Sequence, residues 1–281
     1  MRKGRLVVKQ PIRLLQITDS HLFEQARQQL IGLDTEHSFD AVVALAAQEN
    51  ANIPITAILA TGDIAQDGSV RAYSYYRDQV SQFQAPILWL PGNHDDATKM
   101  RQSLRSTGDD VSPCARQFGN WVIIMLDSSV LTKVYGRIND YNLAFLHQSL
   151  AAFSDQHCMV CLHHHPLDCG SKWLDRHNLK NAPALWDVLH QHANVRALIW
   201  GHIHQDFVAQ HTYRISSKEM SFPCYAPPST CIQFKPNCDD FALDDVNPGY
   251  RWFDLHADGS LKTGISRTEI DFRPDMKSQG Y

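Results

Sequence analysis

Five short apolar runs in this chain each lead straight into residue types capable of holding a metal ion. Leu14-Leu-Gln-Ile-Thr18 runs into Asp19-Ser-His21, and Ile58-Leu-Ala-Thr61 into Gly62-Asp63. Leu88-Trp-Leu-Pro91 runs into Gly92-Asn93-His94-Asp95, Val160-Cys-Leu162 into His163-His-His-Pro166, and Leu198-Ile-Trp200 into Gly201-His202-Ile-His204. In an open α/β sheet the carboxyl ends of the strands line one crevice, where ligands bind. A fold that sets these runs side by side therefore gathers Asp19, His21, Asp63, Asn93, His163, His202 and His204. Two carboxylates, four imidazoles and one amide exceed what a tetrahedral ion uses; they suit two divalent ions sharing a bridging carboxylate. Each motif alone has a bland reading: Asp19-Ser-His21 as a turn and cap, the three adjacent histidines as a surface cluster, His202 and His204 as alternate residues of a strand. Their joint recurrence, always just past a strand, outweighs those readings.

Apolar, β-branched runs at residues 12–17, 55–60, 87–90, 121–126, 158–162 and 195–200 read as strands. Between them, Phe39, Val42, Val43, Ala46 and Ala47 recur on one helical face, as do Leu143, Leu146, Leu150 and Phe153. Asn181 with Pro183 predicts a capped helix start. Beyond residue 205 the pattern turns to strands, with a hairpin around Asp258-Gly259. The fold class is α/β, and residues 1–281 are expected to form one domain whose C-terminal part, from about residue 205, is β-rich.

Charge excludes some partners. Twenty-six Lys and Arg against 30 Asp and Glu leave −4, so no positive field draws the chain to nucleic acid or anionic lipid. The first ten residues hold too few apolar positions for a signal segment, and no apolar run reaches membrane-spanning length. Seven cysteines, an odd number in a chain with ample core, point to reduced thiols and a cytoplasmic setting. Cys158 and Cys161 form a C-x-x-C, but three positions apart on a strand they face opposite sides and cannot share a metal.

In the order D-x-H, G-D, G-N-H-D, H, G-H-x-H, these motifs resemble the calcineurin-like metallophosphoesterases. Gly62-Asp63-Ile-Ala-Gln-Asp67, His163-His-His-Pro166, Trp173-Leu-Asp175, Leu179-Lys-Asn181, Pro228-Ser-Thr-Cys231-Ile-Gln-Phe-Lys-Pro236 and the ending Ser278-Gln-Gly-Tyr281 are similar to the bacterial 3′,5′-cyclic-AMP phosphodiesterase branch. The resemblance implies a four-layer αββα sandwich with two mixed β-sheets. It implies a first metal held by Asp19, His21, Asp63 and His204, and a second held by Asp63, Asn93, His163 and His202, with iron or manganese favoured and zinc or cobalt as alternatives. His163 is chosen because it leaves its strand directly; His164 fits a shorter reading of the same run. His21, Asp63, Asn93, His94 and His204 would contact the substrate. His94 would give a proton to the leaving oxygen, and Asp95 would orient the His94 ring. The implied reaction is hydrolysis of cyclic AMP to 5′-AMP by metal-activated hydroxide, in a monomer or homodimer. Another phosphodiester (a glycerophosphodiester, a 2′,3′-cyclic nucleotide or a nucleotide-sugar) is the alternative substrate.

A protein phosphatase fits less well, because the stretch after Gly62-Asp63 carries no arginine to clamp a phosphomonoester. A zinc amidohydrolase would place its His-x-His on the first strand. The stretch 211–225 departs from the branch, and it bears on the substrate mouth or a subunit contact. Trp173, Asp175, His177 and Asn181 read either as a lid over a purine or as a packed loop, and Tyr73, Tyr75 and Tyr76 read as core. His37, His147, His157, His190, His192, His211 and His256 are expected on the surface or on helix faces.

Overall fold

The computed structural model describes residues 10–104, 108–270 and 274–277. The N-terminal residues 1–9 and the ending 278–281, both used in the sequence reading, lie outside that set. In chain order the strands and helices begin with β1 (Ile12–Gln16), β2 (Gln29–Leu30), β3 (Leu33–Asp34), α1 (Thr35–Glu49), β4 (Ile55–Ala60), α2 (Val70–Val80) and β5 (Ile87–Trp89). They continue through α3 (Ala97–Leu104), β6 (Asp110–Val111), β7 (Cys114–Phe118), β8 (Trp121–Met125), α4 (Asp140–Ala152), β9 (His157–Cys161), α5 (Lys172–Asp175), α6 (Ala182–Leu189) and β10 (Val195–Ile199). Four longer strands follow: β11 (Phe207–Ile215), β12 (Lys218–Ala226), β13 (Gly249–Leu255) and β14 (Leu261–Arg267).

Two six-stranded sheets form, in the orders β14-β13-β1-β4-β5-β6 and β11-β12-β10-β9-β8-β7. Each has a parallel centre (β1, β4 and β5; β8, β9, β10 and β12) and an antiparallel flank, so both are mixed. Central strands covered on both faces read as unbroken apolar runs, which is why these segments show no polar alternation. The period of two sorts them all the same. Leu14, Ala57, Leu59 and Leu88 from the first sheet meet Trp121, Ile123, Met159 and Ile199 from the second in a buried layer between the sheets. Leu15, Ile58, Ala60 and Trp89 point outward under Phe39, Val42 and Ala46 of α1 and Tyr73 and Tyr76 of α2. Val122, Ile124, Val160 and Leu198 point outward under Leu146 and Leu150 of α4 and Leu185 of α6. Three buried layers between four layers of structure give the αββα sandwich. Cys158 lies in the outer of these layers and Cys161 in the inner one, on opposite faces of their strand as the sequence requires.

Local chemistry starts the helices where expected. Asp34 caps α1 by accepting from His37 N at 3.0 Å, and Asn139 caps α4 by accepting from Asn142 N at 2.9 Å. The α6 start differs. Asn181 precedes it, but its side chain bonds both backbone groups of Ile138 instead of capping the helix. The departing stretch 211–225 lies within the β11–β12 hairpin at one edge of the second sheet. The Asp258-Gly259 turn joins β13 to β14, with Gly259 at φ +85°. No helix among the described residues is long and apolar enough to cross a membrane.

Candidate metal centre

The candidate residues meet where the carboxyl ends of both sheets converge. Backbone bonds carry the ladders past the strands: Asp19 N donates to Gly62 O at 3.0 Å, His21 N to Asp63 O at 3.0 Å, and Gly201 N to His163 O at 3.1 Å. Asp19, His21 and His204 form one group of mutually close ligand atoms, Asp19, Asp63 and His163 a second, and His163, His164 and His202 a third. Asn93 joins through its Oδ1, 3.3 Å from His163 Nε2. All seven expected metal residues thus belong to one connected cluster, and Asp63 is 1 % exposed.

The imidazoles are aimed by their second nitrogens. An amide or carbonyl oxygen only accepts, so the ring nitrogen facing it carries the proton. Nδ1 of His21 donates to Gln66 Oε1, Nδ1 of His204 to Ile232 O, and Nδ1 of His163 to Thr61 O. With Nδ1 of His21 and His204 so engaged, both Nε2 atoms turn inward, where they stand 3.1 Å apart. Asp19 Oδ1 lies 3.4 Å from His204 Nε2. Electron pairs converging in this way repel one another unless a cation lies among them, so the donor set fits a metal ion. Burial lowers the His21 pKa to about 3 against the pull of Asp63, which keeps this ring in its ligand form. Burial also presses His163 toward neutrality, but the Asp63 carboxylate, 3.2 Å away, and its hydrogen bond raise the pKa to about 9. Burial alone would raise Asp63; the imidazoles of His163, His94 and His21 more than offset it and hold this carboxylate well below the usual range. The Asp63–His163 pair thus favours positive charge beside this carboxylate.

The sequence left two histidines of the 163–165 run open, and the structure gives their rings different partners. His164 commits both ring nitrogens to the protein, Nδ1 to Ser128 Oγ at 2.9 Å and Nε2 to Val134 O at 3.1 Å. The Nε2 of His163 faces Asp63 and Asn93. His202 donates its backbone N–H to Asp19 Oδ1 at 2.9 Å, and its buried Nε2 has no hydrogen-bond partner among the described residues.

The geometry forces the backbone. Asp19, His21, Asp63, His202 and His204 all have positive φ, between 47° and 68°, a conformation that costs non-glycine residues energy and clusters at functional sites. A side chain on Gly62 would overlap the His163 ring, and one on Gly201 would approach within 2.8 Å of Asp19 Oδ2.

His94 belongs to this centre. Its backbone N–H donates to Asp63 Oδ1 at 2.9 Å, its ring lies 5.0 Å from that of His21, and it lines a cavity of about 460 Å³ with Asn93, Asp96, Lys99 and Leu131. Asp95 ties together backbone groups of two loops. Its carboxylate accepts from Gly92 N at 2.9 Å, Ala65 N at 2.9 Å and Ile64 N at 3.3 Å, so it clamps together the two loops that carry Asp63 and Asn93. The residues sequence reasoning passed over are Gln66 and Ser128. Gln66 stands inside the Gly62–Asp67 motif, which was the available signal; nothing local marks Ser128. Trp173 packs between Phe234 and Phe241, and Asp175 and Asn181 bond backbone groups of the chain, so this stretch is a packed loop. Tyr73 and Tyr76 are buried in the core.

A profile of the calcineurin-like phosphoesterases matches residues 12–206. The chain belongs to that family. A 3′,5′-cyclic adenosine monophosphate phosphodiesterase, CpdA, of Escherichia coli is 41 % identical over 273 residues, 96 % of this chain and 95 % of that protein. The CpdA of Pseudomonas aeruginosa is 40 % identical over 95 % of this chain and 94 % of its own length. A 3′,5′-cyclic-nucleotide phosphodiesterase of Nostoc is 35 % identical over 92 % of this chain and 93 % of its own. Among solved structures, a dimetal phosphatase from Danio rerio superposes with a TM-score of 0.60 at 14 % identity, covering 93 % of this chain and 98 % of that one. A purple acid phosphatase from yellow lupin gives 0.59 at 11 % identity over 91 % and 51 % of the two chains. At such identities these neighbours speak for the fold, two mixed sheets in a sandwich. As a family member, the chain is a metal-dependent phosphoesterase whose Asp and His clusters fit two metal ions.

Proposed function

We propose that this protein hydrolyses 3′,5′-cyclic AMP to 5′-AMP. Asp19, His21, Asp63 and His204 would hold one metal ion, and Asp63, Asn93, His163 and His202 the other, with Asp63 shared. Iron and manganese are assigned first for this imidazole and carboxylate set, with zinc and cobalt as alternatives. Two such ions, when bound, make hydroxide available near neutral pH and neutralise the anionic oxygens of a phosphodiester. The chain's own groups then do the rest. A water oxygen joins phosphorus in line with the ribose 3′ oxygen, which leaves with the electrons of its broken bond. His94, beside Asp63 at the cavity wall, gives that oxygen a proton. Asp95 acts through the loops, keeping Asp63, Asn93 and His94 in register. His21, Asp63, Asn93, His94 and His204 form the substrate-facing wall.

The observation that carries the substrate is the near-full-length similarity to the Escherichia coli enzyme named for cyclic AMP. The reading takes the chain as one catalytic unit, monomer or homodimer, acting on a small nucleotide in the cytoplasm, where its free cysteines stay reduced. The test is anaerobic purification with metal analysis, then turnover of cyclic AMP beside cyclic GMP and a generic aryl phosphodiester. The expected result is two ions per chain and a clear preference for cyclic AMP; turnover no better than that of the aryl ester overturns the substrate.

A further inference from the structure

We propose that His165, Cys169 and Asp175 form a third metal site, outside the dinuclear centre, that takes one zinc ion. Their ligand atoms lie within 4.8 Å of one another. His165 is wholly buried, Cys169 is 7 % exposed, and His165 Nε2 stands 3.3 Å from Asp175 Oδ1. Tetrahedral zinc with bonds of this kind sets its ligands about 3.3–3.8 Å apart, so the three need only a small adjustment. Among the described residues the buried Nδ1 of His165 has no hydrogen-bond partner, so the surrounding protein leaves this imidazole half used.

The backbone already holds the three together. Gly170 turns the chain at φ +85° directly after Cys169, and Asp175 closes the short helix α5 while accepting from Cys169 N at 2.8 Å. Trp173, wedged between Phe234 and Phe241, anchors that helix. A sulfur, nitrogen and oxygen donor set selects zinc over magnesium or calcium and leaves a fourth place for water. Burial pushes the Cys169 thiol up to about 12, so it is protonated before metal arrives; as the sulfur–zinc bond forms, the thiol proton leaves to solvent. None of the seven residues of the dinuclear centre is a cysteine, so a sulfur–metal signal that Cys169→Ser abolishes reports on this site and is independent of the cyclic-AMP reading.

The experiment strips the purified full chain with a chelator, titrates it with zinc chloride alone, and counts ions retained after desalting; a parallel sample is loaded with cobalt(II). The wild type should retain three equivalents and show a thiolate-to-cobalt charge-transfer band in the near ultraviolet. Cys169→Ser should lose that band and one equivalent, and Asp175→Asn, which can still accept from Cys169 N, should lose one equivalent, both with native circular dichroism. Two equivalents in the wild type, no band in the wild type, or a third equivalent that survives Cys169→Ser overturns the site. Should either variant fail to fold, the wild-type count and band decide.

Discussion

The Nδ1 of His163 lies 2.8 Å from the carbonyl oxygen of Thr61, 102 positions earlier in the chain. That contact joins the two sheets and turns the other face of the ring to Asp63 and Asn93, while the next residue, His164, is tied to Ser128 and Val134. Metal analysis of two variants separates them. His163→Ala should lose one of the two ions and nearly all turnover. His164→Gln should keep both ions, with its effect confined to KM and kcat because it frees the loop that borders the cavity. Loss of an ion from His164→Gln would reverse the assignment.

Gln66 fixes the ring of His21 through its Nδ1. Removing such a support weakens metal binding by about 10–100-fold in known centres. Gln66→Ala is expected to fall in that range, measured by competition with a chromophoric chelator, and unchanged affinity would show that His21 needs no such support.

Gly62 combines φ +101° with a neighbour that leaves no room for a Cβ. Gly62→Ala should cost about 1–3 kcal/mol from backbone strain alone and should also displace His163. The expected readout is a lower urea midpoint together with reduced metal retention; a variant of native stability would mean that the loop yields freely.

His94 is expected to act on the leaving oxygen and not as an essential ligand. His94→Asn preserves the backbone N–H that reaches Asp63. Its metal content should stay intact while kcat falls by about 10²–10⁴-fold, the usual worth of a positioned general acid. Steady-state kinetics on the metal-replete variant checks this, and an unchanged kcat removes the role.

A pair of histidines far from this chemistry should shape the acid limit of stability. His190 Nε2 and His211 Nε2 share one hydrogen bond at 2.8 Å between α6 and β11, and the His211 ring stacks on Trp186. Burial lowers the pKa of both, and the neighbouring His190 lowers that of His211 further. In the unfolded chain both titrate near 6.5, so unfolding takes up protons that the folded pair resists. Their contribution is therefore complete above about pH 6.5 and is lost as pH falls below it. Thermal unfolding from pH 7.5 to 5 should show a shallower fall in Tm for His211→Gln than for the wild type; parallel curves would show that the pair does not titrate on unfolding.

The sequence by itself determined the order of strands and loops and the family of chemistry. Periodicity in runs such as Leu14–Ile17 and Leu198–Trp200 is local physics, and a polar residue directly after a buried strand has one crevice in which to lie. It also determined that Cys158 and Cys161 face apart, because a strand's period of two allows nothing else. What only the tertiary structure decided depends on partners distant in sequence. Thr61 holds the ring of His163, Ser128 and Val134 take up His164, the backbone of residues 64, 65 and 92 draws in Asp95, and Ile232 aims His204. Local pattern carries no record of a hydrogen bond that crosses from one sheet to the other, and such bonds set how these imidazoles are turned.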